Sequence, residues 1–288
     1  MHLTNAIKRP ALLWAEQISA DEVSSSWRFT AGGREIFQSV TSDRMQQCNV
    51  EGQWIVAELD AQQNQWQLRN VRPLPASIGR SQLEQQLAWV DCALRDHLAD
   101  IWSMLAYIDD EALAAFMLSV LADPDIMLPF CLCKASHRHH HDHAGGLLAH
   151  SYEVARTAAM LCSQYQLGIR AASVAFVGGL FHDIGKIRLF YNDAGGICGQ
   201  HEAYTFMVLA GPLEQLRKQS PKLFEALSAC FAVRIGKGED PYQVADVVRM
   251  CDRLSADVFN WKSAFDRLPH YYWYGKSDLD GRLCKRLG

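Results

Sequence analysis

The spacing of hydrophobic positions changes near residue 75, and the change divides the chain. From about residue 24, apolar and aromatic residues come in short runs broken by turn residues. "SSSWRFTAGGREIFQSV" places such runs on both sides of Gly32-Gly33. "GQWIVAELDAQQNQWQLRNVRPLP" sets two more across the polar "DAQQNQ", with imperfect alternation at Trp66, Leu68 and Val71. Short runs bounded by turn chemistry predict strands, so a small antiparallel β module is expected over 24–75. Pro73 and Pro75 then punctuate the chain. From about residue 80, apolar residues recur at three- and four-residue spacing, as in "SQLEQQLAWVDCALRDHLADIWSMLAYI". "DDEALAAFMLSVLADPD" opens with acidic residues suited to the positive end of a helix and stops at Pro124. Further helices are predicted over 145–164, 170–185, 201–218, 221–233 and 241–260. The expected layout is an N-terminal segment 1–23, the β module 24–75, a helical domain 80–262 and an aromatic, basic tail 263–288. The fold class is mainly α.

Composition narrows the function classes. The 288 residues carry a formal net charge of −4, which excludes a strongly basic nucleic-acid coat but leaves room for a local basic groove. Nine cysteines are scattered without repeated CxxC pairs, as expected of reduced thiols rather than a disulfide framework. Cys131 and Cys133 stand close before a histidine-rich run, but their apolar neighbours Phe130 and Leu132 favour packing over metal ligation. The opening "MHLTNAIKRPALLWAEQ" lacks the apolar core of a signal peptide. No stretch nears the ~18 uninterrupted apolar residues of a membrane span. A cytoplasmic protein without a membrane partner is expected.

Candidate chemistry lies in three separated helical pieces and the loop before them. "HRHHHDHAGG", residues 137–146, holds five histidines in seven positions. Just beyond it, in "GGLLAHSYEVARTAAMLC", His150 is three residues after Leu147 and four before Val154, on the apolar stripe. In "AASVAFVGGLFHDIGK", His182 follows two glycines that permit close helix approach, Asp183 is its neighbour, and Gly185 suits a helix stop. In "DPYQVADVVRMCDRLSADVF", Asp240, Pro241 and Gln243 resemble a helix start. There Asp252 stands at the edge of a stripe formed by Val244, Val247, Val248 and Cys251. A carboxylate at such an edge is costly unless paired, hydrogen-bonded or metal-bound. Each residue alone has an ordinary reading: a hydrogen-bonded core histidine, or an Asp252 paired with Arg249 or Arg253.

Together, the H…HD…D arrangement resembles the HD-domain metal-dependent phosphohydrolase superfamily. The order "VLADPDIMLPF", "HHHDHAGGLLAHS", "GGLFHDIGK" is similar to two subgroups. One is the 3′-to-5′ exoribonucleases in which an OB-fold precedes an HD domain. The other is the HD region of TraI-type conjugative relaxases. The resemblance implies an HD-type helical bundle behind an OB-like module. It implies a divalent metal ion (Mn, Fe, Ni, Zn or Mg) held by His150, His182, Asp183 and Asp252. Asp183 would also orient water, and Lys186 would neutralise phosphate. His139, His140, His141 and His201 match positions used for a second metal or for substrate. The activity implied is hydrolysis of a phosphodiester or phosphomonoester in a nucleotide or in single-stranded RNA or DNA. The alternative is a catalytically reduced HD protein that binds nucleic acid in conjugation or mobile-element biology.

The sequence departs from the exonuclease-like pattern at "LSACFAVRIGKGED". Ala229 and Cys230 stand where a His-His pair is expected, which removes a source of second-metal ligands. Trp27, Trp54 and Trp66 suit either a stacking platform for single strands or the core of the β module; aromatics dominate small cores, which favours the second. The tail "HYYWYGKSDLDGRLCKRLG" reads either as a nucleic-acid contact or as a segment folded back over the bundle.

Overall fold

A computed structural model of the chain describes residues 10–41, 45–62, 65–136, 141–191, 201–232 and 240–287. It divides into two compact units, 1–109 and 110–288. The first holds strands β1 (Ala11–Ala20), β2 (Ser24–Ala31), β3 (Arg34–Thr41), β4 (Gln53–Gln62) and β5 (Gln65–Pro73). They form one antiparallel sheet in the order β3-β2-β1-β4-β5. Alternate residues face one side: Leu13 and Ala15, Trp27 and Phe29, Ile55 and Ala57, with Val40, Met45 and Leu68 closing the core. This is the period-two patterning of a sheet with one buried face. The Leu68 N–H donates to Gln38 Oε1 at 3.1 Å, which ties edge strand β5 to edge strand β3 and curls the sheet. An OB-fold is a five-stranded, partly open barrel, and the module is OB-like in this sense.

The sheet starts earlier than its pattern predicts. β1 lies inside the segment 1–23, yet it is the central strand, paired with β2 on one side and β4 on the other. Its residues "ALLWAEQ" are helix formers without clean alternation, so tertiary pairing rather than propensity makes it a strand. Trp27 and Trp54 are both buried, and the Trp27 indole donates to Ser25 Oγ at 2.7 Å. Both are core; the side chain of Trp66 lies outside the described part. Truncating Trp27 to alanine is expected to cost about 3–5 kcal/mol, seen as a lower urea midpoint for unfolding of residues 1–109. An unchanged midpoint would contradict this account of the core.

Two helices expected in the helical domain belong to this first unit: α1 (Arg80–Ala88) and α2 (Cys92–Met104). A buried hydrogen bond from Trp102 Nε1 to Gln86 Oε1 at 3.0 Å joins them.

The second unit is a helical bundle. Asp110 caps α3 (Glu111–Leu121) by accepting from Ala112 and Leu113 N–H groups. Asp123 caps α4 (Pro124–Leu132), so Pro124 opens a helix as well as following one. Then come α5 (Gly146–Gln164) and α6 (Ile169–Phe181), the most closely packed helix pair. Every residue of α6 from Ser173 to Phe181 is buried, which makes it the central helix. A Cβ on Gly179 would lie 2.8 Å from Ala155 Cα, so only glycine lets α6 cross α5 this closely. Helix α6 ends at Phe181, not at Gly185; residues 184–186 form a 3-10 turn before α7 (Ile187–Phe190).

The helix predicted over 201–218 is two, α8 (His201–Val208) and α9 (Ala210–Gln219), followed by α10 (Pro221–Phe231). Helix α11 (Val244–Ser263) begins three residues later than the Pro241 signal suggests. Asp240 caps it from outside, accepting from Tyr242 N–H and, at 2.7 Å, from Ala245 N–H, while Gln243 turns through φ 60°. The tail forms a hairpin of β6 (Tyr274–Lys276) and β7 (Leu283–Lys285). Trp261 of α11 donates to the Lys285 carbonyl at 2.8 Å, so the hairpin folds back on α11, while Tyr271 to Tyr274 stay exposed. Among the described residues, no single helix is long and apolar enough to cross a membrane.

Candidate metal centre

Helix α5, the turn after α6, and α11 each bring chemistry-bearing side chains to one point. His150 Nε2 lies 3.1 Å from Asp252 Oδ1 and 3.5 Å from Asp183 Oδ2. His182 Nε2 lies 3.3 Å from Asp183 Oδ2 and 3.6 Å from Asp252 Oδ1. One ligand atom from each of the four residues is within 4.8 Å of all the others. His150 and Asp183 are 1% and 3% exposed, whereas the Asp252 side chain is 45% exposed and forms the open side of the cluster.

The local structure aims these atoms. The His182 ring nitrogen Nδ1 is 2.8 Å from the Gly179 carbonyl. A carbonyl only accepts, so Nδ1 carries a proton and Nε2 faces the cluster. That Nε2 is buried without a hydrogen-bond partner, although two carboxylate oxygens lie nearby. Nε2 therefore faces carboxylates without a well-directed hydrogen bond, a position a cation would suit. Two imidazoles and two carboxylates suit a divalent first-row metal. The residues fit the group.

Around this core, Lys186 Nζ lies 2.5 Å from Asp183 Oδ2 and His201 Nε2 3.1 Å from Asp183 Oδ1. Asp183 is thus the hub. Gly185 makes the His201 contact possible, since a Cβ there would meet the His201 carbonyl at 2.0 Å. Thr205 Oγ1 accepts from Gly185 N–H at 3.0 Å and reaches the carbonyls of His201 and His182. The sequence reading missed Thr205, whose signal was the four-residue spacing from His201 on one helix.

His141 stands at the rim, its Nε2 3.6 Å from Glu153 Oε2 and its ring 5.7 Å from that of His150. His143 is exposed; His137, His139 and His140 lie outside the described residues. Glu153 and Ser255 were also missed, though each follows a cluster residue by three positions on its helix. Arg249 pairs with Asp246 at 2.9 Å, leaving Asp252 to face the histidines. Cys131 and Cys133 are buried, their thiols pushed up by burial to about 12 and about 11, so packing is their role. Cys230 is buried on α10, and its Sγ fills the space a Cβ on Gly178 would need. The missing His pair is therefore replaced, at that position, by core.

The electrostatics are those of paired buried charges. Burial alone would lower the His182 pKa, but Asp183 and Asp252 outweigh it and hold it up at about 10. His150 is raised in the same way, against burial, by the same two carboxylates. Burial would raise Asp183, yet His182, Lys186 and His150 hold it well below the usual carboxylate range. Asp252 is likewise held low, against burial, by the two histidines.

Residues 147–257 match the HD domain. The matched span contains all four cluster residues with Lys186 and His201. The match supports the HD superfamily for this segment. No curated protein and no solved structure matches the chain.

Proposed function

We propose that this protein is a metal-dependent phosphohydrolase acting on a phosphate ester of a nucleotide or of single-stranded nucleic acid. The observation that carries the reading is the convergence of His150, His182, Asp183 and Asp252, with a buried Nε2 that makes no well-directed hydrogen bond, inside the HD-matching segment. One divalent cation held by those four residues supplies Lewis acidity toward a phosphoryl oxygen and acidifies water. The chain's own groups complete the site. Asp183 holds Lys186 and His201 on its two oxygens, and Lys186 offsets the negative charge that builds on the phosphate. An open cleft of about 560 Å³ lies beside the rim; Arg267 and Lys276 line it together with Asp142, Asp266 and Asp278, so its size suits a nucleotide while its charge leans acidic.

The test is metal analysis of the purified protein together with hydrolysis assays on oligonucleotides and nucleotides. The expected outcome is about one equivalent of metal and turnover with Mn²⁺, Ni²⁺ or Mg²⁺. A protein without bound metal and without turnover would refute the reading. The buried Cys230 favours one cation over two.

The same feature favours one alternative, an HD protein with reduced catalysis that binds nucleic acid, as the relaxase-like resemblance implies. Binding would then fall steeply with salt and persist when the cluster residues are removed. Undetectable binding at low salt would eliminate it.

A further inference from the structure

Ser255 is buried on α11, and its hydroxyl has one proton to give. The Oγ lies 3.2 Å from Glu153 Oε2 and 3.4 Å from His150 Nδ1. A carboxylate only accepts, so the hydroxyl proton goes to Glu153 and the Oγ faces His150 as an acceptor. His150 Nδ1 must then be the donor. A neutral imidazole with its proton on Nδ1 has its lone pair on Nε2, the atom that faces Asp183 and Asp252. His182 reaches the same tautomer through the Gly179 carbonyl. For His150, the Ser255 hydroxyl stands at that position, 3.4 Å from Nδ1.

We propose that Glu153 and Ser255 are positioning residues that fix the tautomer and ring orientation of His150, so that Nε2 is presented as a ligand. Glu153 sets the direction of the Ser255 hydroxyl, and the hydroxyl sets the proton on His150. His141 adds a second neighbour on Glu153, at 3.6 Å, and stacks on Phe259 of the same helix that carries Ser255. His141 of the histidine-rich run is therefore connected to the centre through Glu153. Without Glu153, the Ser255 hydroxyl is free to turn its proton toward Nδ1, which favours the tautomer with a blocked Nε2. Partners of this kind change metal affinity by about 10–100-fold.

The inference rests on the cluster being a metal centre, and its test is kept apart from hydrolysis. Zinc is titrated into the metal-stripped full-length protein against a competing chelator. Glu153→Ala and Ser255→Ala are expected to bind zinc about 10–100-fold more weakly than the wild type. Glu153→Gln keeps an acceptor oxygen within reach of Ser255, and Ser255→Thr keeps a hydroxyl, so each should return affinity to within a few-fold. A merely structural role would not follow that pattern of rescue. Zinc affinity unchanged in both alanine variants overturns the proposal, as does a Glu153→Gln variant as weak as Glu153→Ala. A wild type that binds no zinc overturns it together with the metal centre. A wild type that binds zinc but hydrolyses nothing counts against the hydrolase reading alone.

Discussion

Asp183→Asn is expected to leave a protein with no stoichiometric metal, no hydrolysis and a measurable loss of stability when metal-free. The carboxylate is 3% exposed and faces four cationic or potentially cationic groups: Lys186 at 2.5 Å, His201 at 3.1 Å, His182 at 3.3 Å and His150 at 3.5 Å. Asparagine keeps the shape but removes the charge that holds them. Removing one member of a buried pair costs about 3–5 kcal/mol, because the remaining charges stay desolvated. The lower end is expected, since the histidines can shed protons and Lys186 has a path to solvent. Asp252→Asn removes a ligand too, but its side chain is 45% exposed, so water replaces what is lost. The pair of variants should match in metal loss and differ in stability. Metal content and urea unfolding of the stripped proteins provide the check. Asp183→Asn retaining a full equivalent of metal would contradict the role given to this residue.

The cluster was readable because its signals are local and carry their own geometry. His150 falls on an apolar stripe three residues after Leu147, and Asp252 lies four after Val248; helical spacing turns both inward. The His-Asp pair behind two glycines marks the crossing that Gly179 makes at Ala155. The surrounding shell was not readable. Glu153 and Ser255 look like solvent-facing polar residues, and only the packing of α11 against α5 brings them together. The same limit applies to β1, which is a strand because β2 and β4 pair with it, and to Pro124, whose effect depends on Asp123 capping a new helix. The end of α6 at Phe181 was hidden because Gly185 serves a different purpose, the close approach of α8. The histidine run drew attention by composition; of its members, the described His141 reaches the site through Glu153.

Rising pH should destabilise the metal-free protein and widen the gap between it and the metal-loaded form. Without metal, His182 is held protonated up to about 10, whereas in the unfolded chain a histidine titrates near about 6.5. Between those values the folded state keeps a proton that the unfolded state has released, so stability falls as pH rises. It is fully present below about 6.5 and is lost as pH passes through about 10. His150, raised by the same carboxylates, adds to the same slope. Asp183 and Asp252 act at the other end: held low, they stabilise above about 3.9 and lose that contribution as pH falls through their depressed values. A cation competes with protons for the Nε2 lone pairs, so its affinity rises over the window in which the apo-protein weakens. Thermal unfolding between pH 6 and 10, in chelator and in excess zinc, should therefore give a falling Tm in the first case and a widening gap in the second. His182→Asn should remove most of the fall. A chelated wild type whose Tm is flat across that range would mean that the histidines are not held charged by the carboxylates. In that event proton and cation would not be alternatives for the same atoms, and the ion-paired account of the metal-free cluster would have to be abandoned.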